Sequence, residues 1–418
     1  MKDPTPSLPR RLARLLPGAT AREALTDMRA ALDAHARSVG SALDRQQKQL
    51  DELGRVLDRV RREDLRAVRE GARETRNALQ RQAVTNAKFV RDAGLVREQK
   101  VVEERVLAWL SRMMRREGPV VFGPWTGEVG FELMYWVPFL RWVAQRFELP
   151  PERIIVVSRG GTEQWYRDFA AGYVDVFDSI SPEQLQRELR QKKQREISVF
   201  DRRLLAGVRK QHGARRLSLV HPLLMYRLFM PYWKETDSVR RVERFSVPAR
   251  MPAAAERLPE LPARYVAVRF YFSDCMPDTP ANRALIDGIV QGLAAETDVV
   301  VLDPGFRIDD HSDWAPEQRS RVHTLRHLMT PSNNLGVQTA AIQHASAFVG
   351  TYGGFSYLAP LCGVDTLALY SERNFYVTHL DRARRMFEVI HGGRLVPVET
   401  GAIDLLRILS TSKANYVQ

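Results

Sequence analysis

The first third of the chain repeats apolar residues at gaps that are mainly three, four and seven. No proline occurs between Ala21 and Arg116. Such gaps place the apolar side chains on one face of a helix, and a seven-residue period is typical of coiled coils. Gln46 and Gln49 interrupt this apolar face, and beyond Leu65 the apolar residues of the pattern become less frequent. The repeating positions are Leu25, Met28, Leu32, Val39, Leu43, Leu50, Leu53, Leu57 and Val60.

This pattern predicts one or two long helices, partly coiled coil, over residues 21–117. Their predicted role is oligomerisation or spacing. A helical hairpin that packs on the main body of the protein is the alternative. The two interpretations differ in that the coiled coil predicts an elongated dimer or trimer.

From Gly118 onward, short apolar runs alternate with helical segments. Runs such as "PVVFG" (Pro119–Gly123) and "YVAVRF" (Tyr265–Phe270) predict buried strands. Helices are predicted near Asn282–Glu296 and, shorter, near Arg319–Met329. This alternation predicts α/β structure, with two doubly wound, Rossmann-like domains after the helical region. The predicted divisions are a flexible N-terminus (1–20), the helical region (21–117), an N-terminal domain (118–245), a linker (246–262), a C-terminal domain (263–395), and a C-terminal helix and tail (396–418).

Cysteine content and charge narrow the class of protein. Cys275 and Cys362 are the two cysteines, so neither a disulfide framework nor a zinc cluster is expected, and a reducing, cytoplasmic setting fits. The net charge is +13, and residues 1–117 contribute +9 of it, from 26 Lys and Arg against 17 Asp and Glu. We interpret this excess as a solvated helix surface, since acids are interleaved with bases.

Nucleic acid and anionic lipid are the alternative partners of a basic helix. The basic excess lies on a helix without an interleaved series of aromatic residues, so specific binding of nucleic acid is not expected. No run of about 18 apolar residues occurs, and no membrane-spanning helix is therefore predicted. We expect a cytoplasmic protein, with peripheral contact at the inner face of the membrane as the alternative.

The stretch "FVGTYGGFSYLAPLCGVDTLALY" (Phe348–Tyr370) places a glycine pair between two apolar runs. A strand is predicted to end at Val349, and a helix to begin near Phe355–Ser356. The first turn of such a helix offers unpaired backbone N–H groups, and Gly353 and Gly354 let a diphosphate approach the backbone. A tight turn without a ligand is the alternative. Neither the Walker pattern nor the six-residue dinucleotide fingerprint is present.

The same stretch resembles the donor-binding segment of GT-B glycosyltransferases, and it is similar to the bacterial heptosyltransferase type. In those enzymes a strand ending in glycine leads into a polar turn, a helix with Leu-Ala, and then Gly-Val and an apolar strand. The preceding "NNLGVQTAAIQHASAFVG" (Asn333–Gly350) resembles the helix-and-strand unit before that segment. The resemblance covers residues 118–395 as an architecture and implies a nucleotide-sugar donor.

The resemblance also implies a set of donor-binding residues. For Asn334 and Gln338, which lie on the predicted helix before the glycine turn, the alternative role is to cap that helix. The implied residues are Asn334, Gln338, Thr351, Tyr352, Gly353, Gly354, Phe355 and Ser356.

The stretch "GPWTGEVGFELMYWVPFL" (Gly123–Leu140) follows the first predicted strand. Heptosyltransferase-like enzymes have Gly-Asp-Val or Gly-Asp-Ile at this place, and Gly127-Glu128-Val129 matches with Glu instead of Asp. The resemblance implies that Glu128 is the catalytic base, which needs a carboxylate within hydrogen-bond reach of the attacking hydroxyl. The alternative is that Glu128 caps the following helix. Glu132 is a second candidate base.

Arg269 ends the predicted strand in "YVAVRFYFSDCMPDTPANR". A guanidinium suits a diphosphate leaving group, and fucosyltransferase-like GT-B enzymes have an Arg after the first strand of the C-terminal domain. The resemblance implies that Arg269 stabilises the departing nucleotide, with Ser273 of the same loop as a donor contact. An interdomain salt bridge is the alternative role of Arg269.

Four further residues are candidate contacts for the acceptor or the nucleotide. Asp310 and His311 belong to the acidic loop "RIDDHSDW" (Arg307–Trp314), which we interpret as hydrated, with a divalent metal site as the alternative. Arg159 and His221 each end a predicted strand and point to the same cleft edge. No convincing Asp-X-Asp loop is present, so neither a metal nor a cofactor is expected.

The resemblance implies a glycosyltransferase, which we expect to be inverting and metal-independent. It would transfer a sugar from a nucleotide-diphosphate donor to a hydroxyl of a glycan or glycolipid, in cell-surface polysaccharide synthesis. A homo-oligomer is expected to form through the N-terminal helices. The alternative is an inactive scaffold of the same architecture that binds partners through its coiled coil.

Overall fold

The structure is a computed structural model of the chain. It describes residues 19–57, 76, 93–189, 194, 196–213, 215–253, 257–306, 311–317, 319–375 and 377–402. The chain divides into two compact units, Met1–Glu104 and Arg105–Gln418. The predictions for residues 1–18, most of 58–92 and 403–418 lie outside the described residues.

Helix α1 (Ala19–Leu57) is the main described element of the first unit. It has 39 residues and is therefore about 58 Å long. Along its middle, Met28, Leu32, Val39 and Leu43 are partly buried, whereas most residues between them are exposed. The prediction of a long helix is confirmed over this range, and its coiled-coil pairing stays a prediction. A second helix, α2 (Ala93–Met114), ends within the second unit.

The second unit contains a four-stranded sheet. Its strands are β1 (Val120–Phe122), β2 (Ile154–Ser158), β3 (Gly172–Asp175) and β4 (Ser218–Val220). They lie in the order β3–β2–β1–β4, and every neighbouring pair is parallel. The Ser218 hydroxyl donates to the Met113 carbonyl (2.9 Å), which fixes the end of α2 beside this sheet.

The second unit also contains a six-stranded parallel sheet and a two-stranded antiparallel ribbon. In chain order, the strands are β5 (Tyr265–Arg269), β6 (Tyr271–Phe272), β7 (Asp298–Val301), β8 (Ser312–Asp313), β9 (Val322–Thr324), β10 (Ala347–Thr351), β11 (Thr366–Tyr370) and β12 (Leu395–Glu399). The large sheet has the order β12–β11–β10–β5–β7–β9, and β6 pairs with β8.

Helices connect these strands. One of them, α3, consists of three consecutive segments, Val129–Phe131, Glu132–Trp136 and Val137–Arg146, of which the middle one is π-helical. The others are α4 (Pro182–Leu189), α5 (Val199–Gln211), α6 (Pro222–Trp233), α7 (Arg240–Arg244), α8 (Pro280–Glu296), α9 (Asn334–Gln343), α10 (Gly354–Leu361) and α11 (Val377–Val389). The predicted α/β class with two parallel, doubly wound sheets is confirmed.

The apolar runs become strands because a parallel sheet covered by helices buries both faces of each strand. All residues of β1 and β2 are buried, as are four of the five residues in β5. Aromatic residues that the sequence places at helical spacing also pack inward: Trp136 is fully buried and Tyr357 nearly so.

Two predicted elements near the C-terminus are wrong. Residues 396–399, assigned to a C-terminal helix, belong to β12; Pro397 is compatible with this strand because β12 is an edge strand, where a missing N–H costs least. Residues 322–324, assigned to a short helix, form β9 at the opposite edge. A single 3₁₀ turn, Arg326–Leu328, is what remains helical there.

In both sheets, the order in which successive strands are added reverses at the same relative place. In each sheet, the first and the fourth strands in chain order are neighbours: β1 with β4, and β5 with β10. Ligands of doubly wound folds bind beyond the carboxyl ends of the strands at this point of reversal. Arg269 is the last residue of β5 and Thr351 the last of β10, so the fold places both of them there.

Candidate functional site

The loop between β1 and Glu128 (residues 123–127) is held by hydrogen bonds from distant parts of the chain. The Trp125 N–H donates to the Val157 carbonyl (2.8 Å). The Gln194 side chain donates to the Pro124 carbonyl (2.6 Å) and accepts from the Thr126 N–H (3.1 Å). Trp125 and Gln194 are buried. The loop is therefore a fixed support for the residue that follows it.

Glu128 follows that loop at the boundary of α3, and its side chain is exposed. Within the described residues, this side chain makes no capping hydrogen bond to the first turn of α3, so the alternative role of a helix cap is not seen. The carbonyl of Gly127 accepts two hydrogen bonds from Arg159, from Nη2 at 2.5 Å and from Nε at 3.2 Å. An exposed carboxylate on a fixed turn can accept the proton of a bound hydroxyl.

Glu132 lies one helical turn further and begins the π-helical segment of α3. It is 0% exposed. Its Oε1 accepts from the Ser158 hydroxyl (2.5 Å) and from the Tyr166 hydroxyl, whereas its buried Oε2 has no hydrogen-bond partner among the described residues. Burial raises the pKa of Glu132 to about 7, against the opposing effects of the Arg159 cation and the two hydroxyls. Because its carboxyl is enclosed, Glu132 is less suited than Glu128 to take a proton from a bound acceptor.

Arg269 lies at the carboxyl edge of the other sheet, with a side chain that is 10% exposed. Its Nη2 donates to Asp313 Oδ1 (2.9 Å), and its Nη1 donates to Gln338 Oε1 (3.0 Å) and to the Leu302 carbonyl. The guanidinium lies over the ring of Phe355, 4.6 Å from its centroid. A salt bridge at Arg269 thus exists, but it joins β5 to β8 beside the six-stranded sheet and does not connect the two sheets. Nε is buried and has no partner among the described residues.

A buried line of hydrogen bonds continues from Arg269 into α9. Gln338 Nε2 donates to Asn334 Oδ1 (3.3 Å), and Asn334 Nδ2 donates to the Pro331 carbonyl (2.7 Å). Asn334 and Gln338 are both buried. The two amides that the resemblance implies as donor contacts therefore support the Arg269 guanidinium.

The carboxyl edges of the two sheets meet at the first turn of α9. The N–H groups of Leu335 and Gly336 donate to the Gly160 carbonyl, at 2.8 and 3.1 Å. A Cβ on Gly336 would lie 2.6 Å from the Gly161 carbonyl oxygen, so this contact is between backbones. The turn after β2 needs Gly160 and Gly161 because both have a left-handed φ, +76° and +73°.

The hydroxyl groups of the Thr351–Ser356 turn are used within the fold. The Thr351 hydroxyl donates to the Tyr271 carbonyl (2.8 Å) and accepts from the Tyr271 N–H (3.1 Å). The Ser356 hydroxyl donates to the Gly353 carbonyl (2.7 Å) and accepts from the Gly353 N–H (3.0 Å). Both residues are fully buried. They shape the turn that begins α10.

The glycine pair is closely approached by the protein's own groups, and the predicted approach of a diphosphate stays a prediction. A Cβ on Gly354 would lie 2.9 Å from the Gly130 nitrogen, and one on Gly353 would lie 1.8 Å from the Tyr271 hydroxyl. The start of α10 therefore packs directly on the start of α3. Glycine is needed here for that contact, whatever else binds.

The remaining donor candidates lie around the same turn. The Tyr352 hydroxyl accepts from the Tyr357 hydroxyl (2.8 Å), and the Tyr352 carbonyl accepts from the Cys275 thiol (3.4 Å). Ser273 Oγ lies 3.3 Å from the Cys275 sulfur. Phe355 is buried under Arg269. The fold thus gathers all the donor candidates at the point of strand reversal.

The acceptor and nucleotide candidates are dispersed. The His221 Nδ1 accepts from the Leu223 N–H (3.1 Å), which caps α6, and its Nε2 lies 3.5 Å from Asp201 Oδ2. His221 is 1% exposed, so its side chain has a structural role here. His311 is exposed beside the Tyr271 ring, with centroids 5.0 Å apart. Asp310 lies outside the described residues, and the predicted contacts of these residues stay predictions.

The described part of the chain shows neither a metal-binding cluster nor a membrane-spanning helix. That part of the chain contains no group of three or more His, Cys, Asp or Glu side chains placed to hold a metal ion. None of its helices combines the length and the apolar composition that crossing a lipid bilayer requires.

Sequence reasoning missed several of the supporting residues. Gln194, which fixes the β1–α3 loop, lies in the stretch "RQKKQRE", where nothing marks one glutamine as buried. Tyr166 and Asp313 are likewise ordinary residues of a helical and an acidic stretch. A signal was present for Glu132, because a lone acid inside the apolar run "FELMYWVPFL" is unusual unless it has a buried partner.

No protein-family model matches the sequence, and no curated protein matches it significantly. Solved structures give distant matches. The iron-containing dodecameric glycosyltransferase TibC from enterotoxigenic E. coli H10407 is 13% identical, with a TM-score of 0.33, over 62% of this chain and 61% of that chain. The E. coli ADP-heptose lps heptosyltransferase II is 12% identical, with a TM-score of 0.35, over 63% of this chain and 88% of that chain.

A third match, the E. coli heptosyltransferase WaaC with ADP, is 15% identical, with a TM-score of 0.34, over 69% of this chain and 98% of that chain. The chain spans about three fifths of the length of TibC. All three TM-scores are well below 0.5, so these likenesses decide neither the fold nor the function.

Proposed function

We propose that the chain is a GT-B glycosyltransferase that transfers a sugar from a nucleotide-diphosphate donor to a hydroxyl of a glycan or glycolipid. One observation carries this proposal. Arg269 and the Thr351–Ser356 turn lie together at the strand-reversal point of one sheet, and the start of α10 contacts the start of α3, which bears the exposed Glu128. The residues proposed to bind the sugar donor and the residue proposed to deprotonate the acceptor thereby lie near one another.

In the proposed reaction, the acceptor hydroxyl gives its proton to the Glu128 carboxylate. Its oxygen forms a bond to the anomeric carbon while the bond from that carbon to the diphosphate breaks. The electron pair leaves with the nucleoside diphosphate, whose negative charge Arg269 and the first-turn N–H groups of α10 stabilise. Attack on the face opposite the leaving group inverts the anomeric centre.

The donor half of this proposal is tested by thermal unfolding with GDP, UDP, ADP, CMP and their common sugar conjugates. A ligand at 100 times its Kd stabilises the folded state by about 2.7 kcal/mol, so one nucleotide class should raise Tm by several degrees. The same panel with EDTA and then with Mg²⁺ or Mn²⁺ tests independence from metal. Transfer that EDTA abolishes and manganese restores contradicts the metal-independent mechanism. No shift with any nucleotide contradicts a donor site.

One observation favours a second candidate, an inactive scaffold. The space beside Gly353 and Gly354 is filled by Gly130 and by the Tyr271 hydroxyl, as a turn that never binds a diphosphate would also be. Measured sugar transfer that Glu128→Gln strongly lowers excludes the scaffold. Unchanged behaviour of both Arg269→Ala and Glu128→Gln supports it.

We also propose that the N-terminal helices associate as a coiled coil. The partly buried stripe of α1 is narrow, as it is in coiled coils, and it runs from Met28 to Leu43, over about four turns. Leu32→Asp places a charge in this stripe and should convert an elongated dimer or trimer into monomers, as measured by sedimentation or solution scattering. Ala34→Asp, at an exposed position of the same helix, is the matched control. A monomeric wild-type protein contradicts the proposal. Peripheral membrane contact through the basic N-terminal region stays a prediction.

A further inference from the structure

We propose that Glu132 is a positioning residue: its carboxylate keeps the Arg159 guanidinium against the Gly127 carbonyl, and so fixes the direction in which Glu128 leaves the loop. The inference rests on the proposed role of Glu128 as the base. It assigns to Glu132 a role different from that of a second base.

The contacts of Arg159 are the first support. Its side chain is 4% exposed, and within the described residues both of its hydrogen bonds go to one acceptor, the Gly127 carbonyl. Gly127 immediately precedes Glu128. A guanidinium that grips this carbonyl determines the orientation of the peptide unit from which Glu128 projects.

The charge balance around Arg159 is the second support. A buried cation is costly unless an anion lies near it. Glu132 is fully buried and interacts electrostatically with Arg159. A neutral carbonyl oxygen cannot balance the charge of the guanidinium, so the ionised carboxylate of Glu132 favours its burial.

The placement of Glu132 is the third support. It begins a π-helical segment inside an otherwise α-helical stretch, an irregularity that is frequent at functional sites. Its Oε1 accepts hydrogen bonds from the hydroxyls of Ser158 and Tyr166. Ser158 is the last residue of β2, and Tyr166 lies in the segment that follows. The carboxyl is thus held at the Ser158 hydroxyl, one residue before Arg159 in the chain, and the Arg159 cation acts on it electrostatically.

The groups that face Glu132 come from three elements. From the end of β2 come Ser158 and Arg159, from the following segment comes Tyr166, and from β3 comes Asp175, with which Tyr173 is hydrogen-bonded. Burial raises the pKa of Asp175 to about 6, and the N–H groups of Gly161 and Phe177 oppose that rise. Arg159 is the cation in this set, and the tyrosines stay neutral because burial raises their pKa values.

This arrangement makes the support of Glu128 depend on pH. Below about pH 7, Glu132 takes up a proton, and Arg159 loses the charge that favours its burial. Above that pH, the pair is complete and the turn is fixed. The folded-state pKa lies above the ordinary value of 4.5, so ionisation of Glu132 costs folding stability as the pH rises through 7, in exchange for a fixed turn.

Transfer kinetics over pH 5.5–8.5 test the proposal. In the wild type, kcat should rise through a step near pH 7. Glu132→Gln keeps the shape of the side chain and should lose that step, with kcat at pH 8 about 10- to 100-fold below wild type, while acceptor KM and donor Kd change less than about twofold. Arg159→Lys should show the same loss, since an ammonium lacks the planar fork. Glu163→Gln, an exposed acid of the segment before Tyr166, is the matched control and should keep the step.

Hydrogen exchange of the backbone over residues 123–131 tests the linkage without any transfer. The ratio of exchange rates between Glu132→Gln and wild type should be near one at pH 6 and should rise to several-fold at pH 8. A ratio that stays flat, or a pH step retained by Glu132→Gln, overturns the inference. If no donor supports transfer, the proposed function fails, and the exchange ratio alone decides whether Glu132 orders this loop.

Discussion

Replacing Glu128 with Gln is expected to lower kcat by about 10²- to 10⁴-fold, which is the usual contribution of a positioned general base. The amide has nearly the same shape as the carboxylate but cannot take the proton of the acceptor hydroxyl. Glu128 is exposed and makes no capping bond within the described residues, so Tm and donor affinity should stay at their wild-type values. Single-turnover measurement with saturating donor and acceptor separates this loss in chemistry from a loss in binding.

A matched control for this substitution is Glu152→Gln. Glu152 is also exposed, but it lies in the turn that precedes β2, at the end of the strand opposite Ser158 and Arg159. Its substitution should leave kcat unchanged. A Glu128→Gln protein with wild-type kcat shows that Glu128 is not the base and removes the centre of the proposed mechanism.

Arg269→Ala is expected to have the second large effect, on stability and on donor binding together. The substitution removes the ion pair with Asp313 and the hydrogen bond that Gln338 accepts, in a place where little water reaches either residue. Breaking a buried pair by removing one partner costs about 3 kcal/mol or more. Urea unfolding should show this as a lower midpoint at an unchanged slope.

The same substitution should weaken binding of the nucleotide diphosphate by about 10- to 100-fold, because a charge-assisted hydrogen bond contributes about 1.5–3 kcal/mol. Asp313→Asn separates the two effects, since it breaks the ion pair but keeps the guanidinium. It should lower stability while donor affinity falls much less. Equal losses of affinity in both variants would mean that Arg269 acts by holding the fold and not by contacting the donor.

Arg283→Ala is the control for Arg269→Ala. Arg283 also forms an ion pair, with Asp278 (2.6 Å), but both side chains are largely exposed. Exposed pairs contribute little because water and salt screen them. The unfolding midpoint and donor affinity of this variant should stay close to wild type.

The periodicity of the chain was sufficient to predict its architecture. Buried strands such as "RIIVVS" need continuous apolar sequence, and their alternation with helices allows few arrangements other than parallel, doubly wound sheets. It failed where edge position overrides local preference, as at Pro397 in β12 and in β9. Edge strands bury less surface and lose fewer hydrogen bonds, so their sequences are less constrained.

The sequence by itself determined which candidates share the strand-reversal point, because strand ends of a parallel sheet converge on one edge. It placed Arg269 and the Thr351–Ser356 turn there correctly. The tertiary structure alone decided their partners. Asp313 and Gln338 reach Arg269 from 44 and 69 residues away, and Gln194 reaches Thr126 from 68. Burial, charge pairing and the pKa of Glu132 follow from such distant contacts, which no local pattern specifies.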